Sequence, residues 1–280
     1  MNRRRLGRAG VNSAAVAVIL LSLFPVYWMV ATALKPHGDI VSGEVDLIPD
    51  DLTFEHFAQI FSQGAGGTSI WVYLLNSVIV ALGAVLIGSF FALFAATAVA
   101  RFRFRGRTTF LILLIIIQMV PAEALLISLF LVVKDLGLYN QLAGLVVINV
   151  ATTLPFAVWM LRTFVAAVPK ELEEAAAIDG AGQFVIFVRI LFPLVAPGLV
   201  ATSIFSFINA WNEFIFAYTL ISDHDKYTLP VSLTWFTTQK GVDWGPIMAM
   251  STVMTIPVVL FFLLVQRRMV SGLTAGAIKG

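Results

Sequence analysis

Residues 174–193, EAAAIDGAGQFVIFVRILFP, interrupt a chain made otherwise of long apolar runs, and they read as two short helices joined by a glycine turn. Ahead of them Pro169 suits the first helical position, where its missing N–H removes no helical hydrogen bond. Glu171, Glu173 and Glu174 set negative charge against the positive end of the helix dipole. Leu172, Ala175, Ala176 and Asp179 fall at helical spacing on one face, where the alanines let a partner surface come close to the backbone. Gly180 and Gly182 supply the turn. Beyond it Phe184, Phe187, Val188 and Leu191 follow the i, i+3, i+4, i+7 rule, and Pro193, Pro197 and Gly198 are expected to end the pattern before the next apolar run.

The surroundings of this hairpin are those of a membrane protein. Of 280 residues 59% are hydrophobic and only 12% charged, against roughly a quarter charged in soluble domains. Six apolar runs, at about 11–34, 70–100, 108–133, 141–165, 198–221 and 246–265, approach or exceed the ~20 residues that cross a hydrocarbon core. The sequence thus predicts an all-α, polytopic membrane protein, one domain over 1–280, with the hairpin in the loop 166–197 and a tail at 266–280. The first run follows MNRRRLGR and carries a small-residue Ala31-Thr32-Ala33 pattern, but it exceeds the usual ~7 to 15 residue signal core, so an uncleaved span is expected. Within the polar segment before the second run, a short helix is expected around 53–61, with Thr53 as N-cap and Phe54, Phe57 and Phe61 on one face. In the second run Ala92, Ala96 and Ala100 repeat at the small-xxx-small spacing that permits close helix packing.

Charge orients the spans. The N-terminus, the arginine-rich link at 101–107, the hairpin loop with Arg162, and the tail hold fourteen of the 18 lysines and arginines, which puts all four in the cytoplasm. RFRFRGR at 101–107 would suit nucleic acid elsewhere; between two spans it reads as a topology anchor with phenylalanines dipping into the interface, and no nucleic-acid partner is expected. There is no cysteine, which excludes disulfides and cysteine-based metal sites. His37, His56 and His224 show no metal-ligand spacing and read as solvated loop residues.

Polar residues inside apolar runs mark a possible path. Glu123 and Glu213 sit near mid-span, where an acid costs about 2.5 to 3.5 kcal/mol on insertion scales. With Asn209 and Asn212 they could accept hydrogen bonds from a hydroxylated solute, Trp211 offering a flat platform to a sugar ring. The alternative is interhelical polar bonding that fixes packing or a hinge. Prolines 25, 121, 155 and 257 recur in four of the six runs, each freeing backbone carbonyls that can line a cavity or mark a bend point.

The spacing of Glu174, Ala175 and Ala176, then Asp179 and Gly180, then Ile190 and Pro193, resembles the EAA loop of ABC-transporter permease subunits. In that family the loop docks into a groove on the ATPase. Phe192 departs from the leucine usual before the proline, exchanging one large apolar residue for another. The stretch Trp211-Asn212-Glu213-Phe214, the arginine-rich link and the tail QRRMVSGLTAGAIKG at 266–280 are similar to the binding-protein-dependent carbohydrate permeases of the MalG type, so the resemblance covers essentially the whole chain. It implies a transport subunit with no catalytic site and no cofactor of its own, ATP and Mg belonging to partner subunits. It also implies a bacterial cytoplasmic-membrane assembly of two permeases, two ATPases and an extracytoplasmic solute-binding protein, carrying a sugar. The tail, including Gln266, Arg267, Arg268 and Thr274, would reach toward the ATPase. The residues alone also admit an ion-coupled secondary transporter using Glu123 and Glu213 as relay groups. Against that, the sequence has no obvious internal duplication. A G-x-x-x-x-G-K-[ST] phosphate loop is absent, so the chain does not read as an ATPase.

Overall fold

The computed structural model describes residues 2–42, 46–239 and 241–277, with side chains described for 11–42, 46–239 and 241–266. In chain order the helices are α1 Asn2–Ala33, α2 His37–Ser42, α3 Glu55–Ser62, α4 Ile70–Arg101, α5 Arg107–Met119, α6 Leu126–Asp135, α7 Leu142–Ala167, α8 Lys170–Ile178, α9 Gln183–Ile186, α10 Phe192–Trp211, α11 Ile215–Leu220, α12 Leu229–Ser232 and α13 Trp244–Ala277. A two-stranded antiparallel ribbon, β1 Thr237–Thr238 and β2 Gly241–Val242, pairs Thr237 with Val242.

Among the described residues, five helices are long and apolar enough to cross a membrane: Val11–Ala33, Ile70–Arg101, Leu142–Ala167, Gln183–Trp211 and Trp244–Gln266. A sixth crossing requires Arg107–Met119 and Ala122–Asp135 to be taken together, although they bend by 91°. The expected continuous span at 108–133 is therefore broken, and Pro121 explains where. A residue before proline is pushed out of the helical region, and Val120 is extended at φ −82° and ψ 120°. Pro121 itself cannot donate to the ladder. Glu123 then stands in the first turn of the restarted segment, a one-turn 3₁₀ helix at Ala122–Leu125, rather than in the middle of a span.

The contacts fall into two units, residues 71–231 with 257–280, and residues 1–70 with 232–256. In the larger, the alanine stripe of α4 does what its spacing predicts. Ala92 and Ala96 are fully buried against Ala157, Val158, Leu161 and Val165 of α7, with Leu114 of α5 and Val195 of α10 in the same cluster. A second cluster joins Val80, Leu145, Ile148, Phe216, Leu220 and Val231. Polar groups inside α7 are satisfied locally: Asn149 donates to the Leu145 carbonyl at 2.9 Å, and Thr153 to that of Asn149 at 2.6 Å.

The prolines at 193 and 197 do not end a helix. α9 runs through a π-helical turn, Phe187–Leu191, straight into α10, which contains both. Proline in a helix loses one bond and clashes with the carbonyl four residues back, here Arg189 for Pro193. The π turn adds a residue to the coil beneath that site and moves the carbonyl out of register with the ring. The crossing consequently starts at Gln183 and stops at Trp211, earlier than the expected 198–221 at both ends.

In the smaller unit, α3 starts at Glu55 with Phe54 rather than the expected Thr53 at the N-cap position and no side-chain cap there; the Thr53 hydroxyl accepts from the Glu55 N–H at 3.2 Å from one residue further out. The phenylalanines do not supply the buried face of α3. Phe54 is 70% exposed, whereas His56 and Ile60 are buried. His56 is therefore no solvated loop residue: its Nε2 lies 3.0 Å from the Lys35 carbonyl, and its ring sits where a Cβ on Gly245 would meet it at 2.2 Å. Lys35 is buried beside it, its ammonium donating to the Asp46 carbonyl at 2.7 Å and lying over the Trp28 ring. His37 and His224 are exposed, as expected.

Candidate functional site

The stretch that opens the sequence reading folds as a helix, a turn and a helix. α8 begins directly after Pro169, which precedes rather than occupies the first helical position, with Glu171 and Glu173 in its first turn. It ends in a Schellman arrangement. Ala181 N–H donates to the Ala176 carbonyl at 2.9 Å and Gly180 N–H to that of Ala177 at 3.1 Å, with Gly180 left-handed at φ +86°. Gly182 is extended and leads into α9.

Two contacts fix the hairpin to the body of the larger unit. Phe187 stacks on Phe94 of α4 with ring centroids 5.1 Å apart. Arg101, at the end of α4, sets both Nε and Nη2 at 2.7 Å from Glu173 Oε1 and donates through Nη2 to the Val168 carbonyl at 2.9 Å. With side-chain exposures of 9% and 21%, this ion pair is shielded from water in a way the flanking exposed Arg103 and Arg105 are not. One arginine of the supposed topology anchor is thus a fastening for the loop. A groove of about 620 Å3 opens between α4 and the hairpin, with Lys170, Glu174 and Gln183 among its lining residues.

The outer side of the hairpin is bare. Ile178 is 86% and Phe184 76% exposed, and Leu172 is exposed too. Ala175, Asp179 and Gly180 are exposed, and Ala176 is half-buried. Ile190 lies half-buried in the π turn, and Pro193 is exposed on α10. The predicted loop residues share one structural device, and Arg101 is the member that sequence reasoning missed.

The second group of predicted residues surrounds the break between α10 and α11. Asn209 and Asn212 are exposed and donate to carbonyls four residues earlier, at 2.9 Å each. Glu213 accepts from Phe216 N–H at 2.6 Å and Ala217 N–H at 2.9 Å, which caps the start of α11 with a carboxylate. Glu123 is exposed and within Coulombic reach of Glu213, so the two acids are brought to one locality although 90 residues separate them. Trp211 does not join them. It is 1% exposed and stacked on Phe207 at 5.5 Å, which stacks in turn on Phe261 of α13, so it is packing rather than a platform open to a solute. Gln266 is half-buried in α13, whose backbone continues the expected tail as helix to Ala277; the side chains of Arg267, Arg268 and Thr274 lie outside the described residues.

Comparisons with known proteins join these observations. The chain is 43% identical over 280 residues, covering the whole of both proteins, to a diacetylchitobiose uptake system permease protein of Streptomyces coelicolor. It is 36% identical to a trehalose/maltose transport system permease protein of Thermococcus litoralis, again over the whole of both. Among solved structures, the backbone superposes on a chain of a bacterial ABC transporter involved in the import of the acidic polysaccharide alginate. That match has a TM-score of 0.79 at 22% identity, covering 95% of this chain and 98% of that one. Residues 84–274, well over half of the sequence, match the family described as binding-protein-dependent transport system inner membrane component, and the chain belongs to that family.

Proposed function

We propose that this chain is a permease subunit of a sugar-importing ABC transporter, supplying half of the translocation path and driven by ATPase subunits that grip its α8–α9 hairpin. The observation that carries the reading is a rigid hairpin whose apolar tip faces outward. Ile178 and Phe184 are exposed while Glu173 and Phe187 are tied down by Arg101 and Phe94. A surface built only to lie on its own chain would bury those side chains. With no phosphate loop in the sequence, ATP and Mg belong on the partner ATPases. A sugar, as the names of the relatives suggest, an extracytoplasmic binding protein, as the family's description suggests, and a second permease complete the assembly. The charge distribution supports termini and a hairpin in the cytoplasm, where ATP is available. Closure of the ATPases would move the hairpin and, through α10, the break at residues 212–214. That is a two-state coupling between distant sites.

Co-purification followed by an ATPase assay tests this. Detergent-extracted chain should bring down an ATPase subunit, and hydrolysis should rise with binding protein and one class of sugar. A chain that purifies alone and moves solute down an ion gradient in vesicles would overturn the proposal.

A further inference from the structure

A second groove, of about 350 Å3, lies between α5 and the last third of α7. Arg107, Arg162 and Trp159 line its polar end, and Leu111, Ile112 and Ile115 continue it along α5. Ile115 is eight residues beyond Arg107, about 12 Å along the helix, so the groove runs from a basic head into an apolar wall.

Three features of the head ask for an anion. Arg162 holds its guanidinium over the Trp159 ring at 5.7 Å, and its Nε is buried without a hydrogen-bond partner. A buried donor of a charged group left unpaired costs more than a neutral one, so an acceptor there is stabilising. Among the described residues no carboxylate pairs with Arg107 or Arg162, and none lines the groove. No side chain caps the N-terminus of α5, whose backbone N–H groups and positive dipole end stand beside Arg107. The apolar wall decides what carries the anion. Ile112 and Ile115 are 51% and 43% exposed on a helix apolar enough to enter a bilayer, and tryptophan favours the depth of lipid headgroups.

We propose that this groove binds an anionic phospholipid, its phosphate bridging Arg107 and Arg162 and its acyl chains lying along Leu111, Ile112 and Ile115. The site depends only on the chain spanning a membrane, not on the solute transported. Basic pockets between membrane helices hold acidic lipids in the same way. A bound lipid would pin α5 to α7 on the side of the membrane that carries the hairpin.

The full-length chain, with whatever subunits it retains, is delipidated and then titrated with phosphatidylglycerol, phosphatidylcholine or inorganic phosphate. Bound lipid is counted by native mass spectrometry. Wild type should retain phosphatidylglycerol in preference to phosphatidylcholine, and Arg107→Gln with Arg162→Gln should lower that retention by about tenfold or more, each arginine near the surface being worth about fivefold. Should the double variant fail to extract as folded protein, Arg107→Gln alone, at a helix start, is expected to lose about fivefold. Equal retention by wild type and variant would overturn the site. Equal retention of the two lipids would remove its charge selectivity and overturn it as well. Displacement of phosphatidylglycerol by millimolar inorganic phosphate would assign the arginines to a free anion and overturn the lipid.

Discussion

The hairpin at residues 170–192 and the break at residues 212–214 are both interruptions between helices, and they spend their acidic residues in opposite ways. In the hairpin, Glu173 reaches across 72 residues of sequence to Arg101, and the chain's own hydrogen bonds leave Ile178 and Phe184 outside. At the break, Glu213 turns back on its own backbone, capping α11 through Phe216 and Ala217. The first device makes a rigid handle for something else. The second makes a joint that holds itself, within a few residues of Asn209 and Asn212, which remain exposed. A carboxylate near a membrane is costly when unpaired. The difference lies in whether a distant side chain or local N–H groups relieve that cost, and so in whether the element can move without losing its partner.

The largest effect should come from the handle's fastening. Arg101→Ala leaves Glu173 shielded and unpaired and frees the Val168 carbonyl; losing one partner of such a pair costs about 3 kcal/mol. Hydrogen exchange over α8 should accelerate sharply, and coupling of ATP hydrolysis to uptake should fall with it. Unchanged protection of 170–178 would mean that stacking of Phe187 on Phe94 holds the hairpin alone.

Gly180→Val comes next. Open space surrounds this glycine, so no clash arises, but φ +86° costs a β-branched residue about 1 to 2 kcal/mol and strains the Schellman turn. Membrane insertion should be normal while ATP hydrolysis runs without matching uptake. Normal uptake would count heavily against the hairpin as the coupling element.

At the joint, Glu213→Ala should cost about 1 kcal/mol through loss of the cap and fray α11, visible as faster exchange over 215–220 with the complex still assembled. Glu213→Gln keeps one acceptor oxygen and should recover part of that protection. If Glu213→Ala changes sugar uptake while leaving exchange at α11 untouched, the carboxylate belongs to the transport path rather than to the joint.

What could be read from the sequence follows the range of the interactions. Most of the apolar runs, the alanine stripe of α4 and the glycine turn after α8 depend on neighbours within a helical turn or two, and they stand where the pattern puts them; the runs at 108–133 and 198–221, interrupted or displaced beside prolines, do not. The clamp of Arg101 on Glu173 was hidden because four arginines in seven residues read alike until one finds a carboxylate. His56 reads as solvated from its local sequence because what buries it includes Gly245, 189 residues later, whose missing Cβ makes room for the ring. Pro193 and Pro197 read as an end because proline either breaks or kinks an α-helix, and sequence does not show which; here Pro193 stands in the first turn of α10 directly after the π turn, and Pro197 is carried inside the helix as Pro25, Pro155 and Pro257 are in theirs. The polar neighbours of Trp211 in sequence suggest a solute path, but its ring packs on Phe207 instead. A helix turns about 100° per residue, so adjacent residues need not share a face.

The smallest effect tests the outer side of the joint, where the loop after α11 is tied to Asn140. Asp223 accepts from Lys226 Nζ at 2.8 Å and from Asn140 Nδ2 at 2.7 Å, while the Asn140 side-chain oxygen accepts from the Ser222 and Asp223 N–H groups. The Lys226 ammonium first, and the Asn140 amide second, hold the Asp223 carboxyl below the ordinary aspartate range. A carboxyl depressed in the folded state contributes stability that is fully present above its unfolded pKa and is lost as pH falls through the lower folded value. Thermal stability should therefore include the full contribution of these contacts at neutral pH, change little with pH there, and decline only in the acid range below the ordinary aspartate pKa. Asn140→Ala removes one of the two donors, which should move the acid decline upward in pH while leaving the Lys226 pairing in place. Because the Asp223 side chain is exposed to solvent, the shift should shrink as salt is added. A decline centred near neutral pH would point instead to histidine, and would separate the loop's tether from the joint it was expected to steady.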